Sequence, residues 1–267
     1  MLVKDKVFVI TGAGSGIGQE MTVQLVEKGA KVAMVDIHEK GMKETAARAG
    51  ESNVSIHVLD ISDVTAVEKL PAEIIKEHGH VDGLINNAGI IQPFVDVKYL
   101  TYEQINRVIN INFFGVLYMT KAFLPYLTER PEAHIVNISS MGGFIPFPGQ
   151  TLYSASKAAE KIFTEGLYGE LKKTNVHVTV VLPGAMDTHI MSNSGLETAE
   201  EEAEAKKTQK MKALSAPEAA AIIIHGIEKN KFRVLVGGDA KFLDFLYRIS
   251  PRRAVDFIVK KMSGMVQ

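Results

Sequence analysis

The sequence predicts an α/β fold of Rossmann type: a doubly wound, seven-stranded, mostly parallel sheet with helices on both faces. Three observations predict it. Short β-branched runs alternate with longer segments whose apolar residues recur at helical spacing. The runs are near-continuously apolar, as strands covered on both faces must be. A glycine-rich turn joins the first run to the first helical segment.

The runs are Val7–Ile10, Lys31–Asp36, Val54–Leu59, Val81–Ile85, Ile135–Ile138, Val176–Val181 and Phe232–Val236. Segments such as Ile17–Lys28, Val64–Glu77 and Ala219–Lys229 carry the helical pattern between them. Strand–helix alternation implies parallel pairing through right-handed crossovers. Alternation alone leaves other layered α/β folds open, and the turn narrows the choice.

A chain of 267 residues can form one α/β domain with a sizeable core. Hydrophobic residues make up 46% and charged residues 23%, an ordinary globular balance. A formal net charge of −1 gives no overall bias toward nucleic acid, and no nucleic-acid partner is expected. The absence of cysteine excludes disulfides, a thiol nucleophile and a Cys-ligated metal. The eight histidines show no paired ligand spacing, so no metal is expected and a surface place is their default. From Met1 the chain runs directly into an apolar strand, without a charged leader and cleavage site, and no apolar run has the length of a membrane span. The expected location is therefore the cytoplasm. Glu197–Lys212, dense in Glu, Ala and Lys, reads either as a solvated helix or as a mobile lid.

The turn is Thr11-Gly12-Ala13-Gly14-Ser15-Gly16-Ile17-Gly18. Glycines there let the backbone turn sharply and approach a pyrophosphate, and the helix N-terminus favours negative charge. A tight strand-to-helix turn would need glycines too. The position directly after the first strand favours the phosphate reading. Asp36 ends the second strand, eighteen residues after Gly18. A carboxylate there can accept hydrogen bonds from both hydroxyls of an adenosine ribose and would repel a 2′-phosphate. Its alternative is to cap the next helix. Ile37 follows it, and no Arg or Lys in the turn offsets the repulsion.

Tyr153 and Lys157 stand at i and i+4, on one helical face. A lysine ammonium beside a phenol stabilises the phenolate, which can then exchange a proton with an alcohol or carbonyl oxygen. Ser140 follows the fifth strand, at the sheet edge where open α/β folds bind ligands. Asn112 lies inside the apolar helical segment Ile105–Leu127, where an amide calls for a polar partner.

Together these motifs closely resemble the classical short-chain dehydrogenase/reductase family, with family spacing from about Lys6 to Gly184 and more loosely to Val236. Asn86-Asn87-Ala88-Gly89 matches the segment after the fourth strand, and Asn112, Ser140, Tyr153 and Lys157 match the catalytic tetrad. Asp60 and Ile61 stand at the adenine contact, and Pro183-Gly184 with Thr188 matches the segment beside the nicotinamide. The resemblance implies Tyr153 as general acid/base and Ser140 polarising the substrate oxygen. It makes Lys157 a ligand of the nicotinamide ribose that favours Tyr153 ionisation, and gives Asn112 a water that extends the proton relay. Gly12, Ser15, Gly16, Ile17, Gly18, Asp36, Ile37, Asp60, Ile61, Asn87, Ala88, Gly89, Tyr153, Lys157, Pro183, Gly184 and Thr188 are the expected cofactor contacts. With Asp36 the expected cofactor is NAD. A cofactor-sensing or binding protein on the same fold is the alternative, which a missing Tyr or Lys would favour. By family analogy the protein is a homo-oligomer.

The residues around these positions are strongly apolar, among them Phe94, Phe147, Met186 and Met191. With Ser140 and Tyr153 they form the expected substrate contacts, suited to a bulky apolar secondary alcohol or ketone, lipid- or steroid-like. Packing in the core would use the same residue types. The expected organisation is a catalytic domain over 1–240, with a substrate lid at about 185–214, and an amphipathic extension over 241–267. Phe242, Phe245, Ile249, Phe257 and other apolar residues there alternate with Lys241, Arg248, Arg252, Arg253, Lys260 and Lys261. Pro251 divides the extension into two helices. Such helices can lie in a membrane interface, pack on a partner subunit or cap the substrate mouth.

Overall fold

The computed structural model describes residues 1–188, 190–198, 201 and 213–262. Six strands follow one another as β1 (Val7–Thr11), β2 (Lys31–Asp36), β3 (Val54–Val58), β4 (Gly83–Asn86), β5 (Ala133–Ile138) and β6 (Val176–Pro183). Two short strands, β7 (Met186–Asp187) and β8 (Leu214–Ser215), pair with each other, and β9 (Arg233–Val236) closes the main sheet. The order is β3-β2-β1-β4-β5-β6-β9, and every neighbouring pair is parallel. The order turns back between β1 and β4, the switch point where such sheets bind ligands.

The helices are α1 (Gly16–Glu27), α2 (Glu39–Ala49), α3 (Val64–His78), α4 (Tyr102–Ile109), α5 (Val116–Thr128), α6 (Thr151–Leu171), α7 (Ile190–Asn193), α8 (Ala216–Glu228), α9 (Gly238–Ile249) and α10 (Pro251–Met262). Strand side chains alternate between two apolar layers. Phe8, Ile10, Met34, Val136 and Val181 pack with Met21 and Leu25 of α1 and with Ile223 and Ile227 of α8. Val9, Val35, Leu84, Ile135 and Val178 pack with Leu70 of α3, Phe123 of α5 and Leu167 of α6. The strand edges differ from the sequence reading by a residue or two. Val81 and Asp82 precede β4 because the Asp82 carboxylate accepts from Val7 N (3.0 Å) and Arg130 Nε (2.9 Å), fixing the entry to the strand.

α4 and α5 are joined without a break by a π-helical turn over Asn110–Gly115. The stretch Tyr102–Thr128 is long and apolar enough to cross a membrane, yet Met119, Phe123 and Leu127 are spent in the core layer. His134 departs from the surface default: it is fully buried in β5, with Nε2 2.7 Å from Thr179 Oγ1.

Beyond β9 the chain forms two helices that part at Pro251, which occupies the first turn of α10 where its missing N–H costs nothing. They do not stand off the domain. Leu243, Ala254 and Ile258 form a small core with Ile145, against which Met141, Phe144 and Phe147 pack. Arg233 of β9 holds Asp244 of α9 through two hydrogen bonds of 2.9 and 2.7 Å. That guanidinium, with Arg248 adding to it, keeps the Asp244 carboxyl below the usual carboxylate range. Most of Glu197–Lys212, on which the solvated-helix reading rests, and about half of the expected lid lie outside the described residues.

Candidate active site

The glycine turn is built by close approach. Gly12 has φ +67°, and a Cβ there would come within 2.9 Å of Asn87 Nδ2. At Gly18 a Cβ would fall 2.1 Å from Gly12 O, so the helix sits directly on the turn. Thr11 Oγ1 accepts from Asn87 N (2.9 Å) and Ala88 N (3.0 Å), tying the turn to the segment after β4. Ser15 precedes α1 in extended conformation, and its side chain does not cap the helix. The first N–H groups of α1 therefore keep their capacity for an anion.

Asp36 flanks this turn. Its Oδ2 accepts from Gly14 N and its Oδ1 from His38 N, each at 2.9 Å. The bond from His38 N closes a turn ahead of α2 and is not a side-chain cap of that helix, and each carboxylate oxygen keeps a second lone pair for a ribose hydroxyl. Ile37 is exposed beside it, whereas the Ile61 side chain is buried against Gly115, leaving only its backbone for a ligand. Asp60 is exposed and accepts from Ser62 N at 2.8 Å.

A cavity of about 370 Å³ opens beside the turn. Gly12, Ser15, Gly16 and Ile17 of the turn line it, with Asn87, Ala88 and Gly89. Ser140, Tyr153, Lys157, Pro183 and Gly184 line it as well, and Thr188 does so beside Gly16. The expected substrate residues Phe94, Phe147, Met186 and Met191 all face the same space. Gly18, Asp36, Ile37, Asp60, Ile61 and Asn112 lie outside its lining.

The two adjacent serines are distinguished by their bonds. Ser139 Oγ donates to Lys157 O at 2.7 Å and is committed to holding α6. Ser140 Oγ accepts from Gly142 N at 3.0 Å, which leaves its own O–H to donate. Tyr153 is set by a buried amide: Gln92 Oε1 accepts from Leu152 N (2.8 Å) and Tyr153 N (3.0 Å). Lys157 Nζ donates to Ile138 O at 2.9 Å. Asn112 sits in the π-helical turn, an irregularity often found at functional sites. Its Nδ2 donates to Ile90 O (2.9 Å) and Ser156 Oγ (3.0 Å), and its Oδ1 accepts from Ile90 N (2.9 Å). Both amide N–H groups are used, so a water would have to be held by the second Oδ1 lone pair or the backbone carbonyl.

Three lining residues escape a motif-based reading. Gln150 is buried with Oε1 unpartnered, and its Nε2 donates to Gln92 O at 2.7 Å. Asn193 Nδ2 donates to Ser15 Oγ at 2.7 Å, joining α7 to the turn. Met262, at the end of α10, reaches the cavity from the C-terminal extension. Asp239 of α9 also accepts from Ala185 N at 2.7 Å, so α9 braces the Pro183-Gly184 segment. Among the described residues no three His, Asp or Glu side chains gather as metal ligands.

A doubly wound sheet, a glycine cradle at its switch point and a Tyr/Lys/Ser cluster in the adjoining cavity define a nucleotide-dependent oxidoreductase. The short chain dehydrogenase family profile matches residues 6–199, and the chain belongs to the short-chain dehydrogenase/reductase family. It is 39% identical over 252 residues to the oxidoreductase-family protein SadH of Mycobacterium tuberculosis, spanning 92% of this chain and 91% of that one. Among solved structures it resembles a short-chain dehydrogenase/reductase from Burkholderia phymatum in complex with NAD. There the TM-score is 0.80 and identity 25%, over 88% and 90% of the two chains. A short-chain dehydrogenase from Burkholderia cenocepacia in complex with NADP gives a TM-score of 0.80 and 26% identity, over 97% and 99%. The chain is therefore an oxidoreductase of this family, using a nicotinamide cofactor on a small-molecule substrate. The cradle, the switch-point cavity and the uncapped α1 N-terminus fit such a nucleotide.

Proposed function

We propose that this protein is an NAD-dependent dehydrogenase or reductase acting on a bulky, apolar secondary alcohol or ketone. The observation that carries the reading is the meeting of Ser140, Tyr153 and Lys157 with the glycine turn around one cavity. A nicotinamide held in this site would supply the hydride donor or acceptor. The Ser140 hydroxyl orients the substrate oxygen, using the donor its bond to Gly142 leaves free. The Tyr153 phenol moves the proton to or from that oxygen. Lys157 would hold ribose hydroxyls and brings its ammonium to the cavity that Tyr153 also lines, and Asn112 braces both Ile90 and α6 from the π-helical turn.

Asp36 beside the turn supports NAD over NADP. Turn residues Gly12, Ser15, Gly16, Ile17 and Gly18, with Ile37, Asp60, Ile61, Asn87, Ala88, Gly89, Pro183, Gly184 and Thr188, complete the proposed nucleotide site. Phe94, Phe147, Met186 and Met191 support an apolar substrate.

In this reading residues 1–240 are the catalytic domain, about 185–214 its lid, and 241–267 an extension that caps the substrate mouth. The extension also presents Phe242, Phe245, Ile249 and Phe257 to solvent beside Lys241, Arg253 and Lys261. That pattern supports a cytoplasmic enzyme touching an anionic membrane surface from outside. Exposed Ile162 and Tyr168 on α6 support a homo-oligomer. The test is an NAD-linked absorbance screen over apolar secondary alcohols and ketones. Turnover with such compounds and not with small polar alcohols is expected, and the reverse would overturn the substrate class.

A further inference from the structure

Glu160 is a buried carboxyl that none of these roles uses. It stands three residues after Lys157 on the same face of α6. Its Oε2 lies 2.7 Å from Lys157 Nζ, and both side chains are withdrawn from solvent. Its Oε1 has no hydrogen-bond partner.

An ammonium has three donors. Lys157 gives one to Ile138 O and one to Glu160 Oε2, which fixes the direction of the third. A Cβ at Gly89, on the cavity wall, would stand 3.2 Å from Nζ, so the ammonium reaches that wall. A carboxyl in so dry a place is costly, and an apolar side chain would fill it more favourably. Burial pushes Glu160 up to about 7, against the pull of Lys157.

The surroundings are otherwise neutral. Thr164, one turn along α6, donates to Glu160 O and accepts from Asn137. The side chains that β4, β5 and β6 turn toward this helix layer include Asn86, Asn137, Val178 and Val180, and α5 adds Met119 and Thr120. From α6 itself come Lys157 and Tyr153. Lys157 is the charged group that acts on Glu160.

We propose that Glu160 is a positioning residue for Lys157, one that aims its third N–H at the cavity and balances its charge. The proposal rests on the Tyr153–Lys157 reading above, since Lys157 is the group that Glu160 holds.

Glu160→Gln keeps an acceptor for Lys157, whereas Glu160→Leu removes it. NADH affinity, read by fluorescence titration without substrate, should fall at least about tenfold in Glu160→Leu and stay within about threefold in Glu160→Gln, because only the first leaves the Lys157 ammonium unaimed. A Glu160→Leu variant that binds NADH as the unsubstituted chain does overturns the proposal, and so does a Glu160→Gln variant that loses affinity to the same degree. Lys157→Met that leaves NADH affinity unchanged refutes the Tyr153–Lys157 reading itself. If Glu160→Leu does not fold, Glu160→Asp, which withdraws the acceptor by one methylene, takes its place with the same outcomes.

Discussion

Replacing Asp36 with Ala separates the two nucleotides. Each Asp36 oxygen already accepts one backbone N–H, from Gly14 and His38 at 2.9 Å, and retains one lone-pair direction for a ribose hydroxyl. Hydrogen bonds to a charged acceptor contribute about 1.5–3 kcal/mol each. Asp36 is only half-buried, so about 2 kcal/mol for the pair is a fair total. A 2′-phosphate at about 5 Å would meet repulsion of about 1 kcal/mol in a mostly aqueous setting. Asp36→Ala removes both effects; the 3′-hydroxyl is common to both nucleotides and its bond cancels, so the ratio of NADPH to NADH dissociation constants should fall by about 2 kcal/mol, or roughly thirtyfold. The lost support of Gly14 N weakens both nucleotides alike and cancels in the ratio. NADH and NADPH fluorescence titrations of the two proteins measure it without any substrate. A ratio that does not move, or an unsubstituted chain that prefers NADPH, would refute the argument from Asp36.

Two further outcomes follow from the packing. Burial, with lesser contributions from His177 and the N-terminal ammonium, pushes His134 down to about 3. The unfolded chain takes up that proton near pH 6.5 and the folded chain does not, so this stability is full above pH 6.5 and is lost as pH falls toward 3, by about 2 kcal/mol between pH 7 and pH 5. Glu160 acts with opposite sign, since its raised value adds stability as pH falls from about 7 toward the unfolded carboxyl range. Urea unfolding of the chain and of His134→Gln at both pH values isolates the histidine: the variant should lack that loss of about 2 kcal/mol, and parallel pH dependence would contradict it. Ending the chain after Ser250 removes α10 with Met262 but keeps Asp239, and should raise KM for a bulky substrate by about tenfold while sparing NADH affinity. The same truncation removes Phe257, Arg253 and Lys261 but keeps Phe242, Phe245 and Ile249, and should weaken co-sedimentation with anionic vesicles without abolishing it. An unchanged KM would deny α10 its place over the cavity, and full-length protein that ignores vesicles would remove the membrane contact.

Much of this was legible in the chain. The β-branched runs and the Gly12–Gly18 turn placed the sheet and its switch point, because strands buried on both faces leave an unbroken apolar signature. The spacing of Ser140, Tyr153 and Lys157 identified residues that one cavity brings together. Other features were hidden for physical reasons. His134 sits in a run that alternates between two covered faces, so its burial depends on the helix across from it. Gln92 and Gln150 are far apart in sequence and act through backbone groups, which leaves no motif. Met262 enters the cavity only because α9 and α10 fold back over Ile145. Glu160 did leave a signal: Lys157, Glu160, Thr164, Leu167 and Leu171 recur every three or four residues, which makes Glu160 part of the buried stripe of α6.

The most direct test of the central claim compares Tyr153→Phe with the unsubstituted chain on any alcohol that reduces NAD. The account predicts that kcat falls by about a thousandfold or more, since the phenol proton is spent in the chemical step, while the NADH dissociation constant stays within about twofold. Turnover that survives within about threefold would contradict it and remove Tyr153 from the proton transfer.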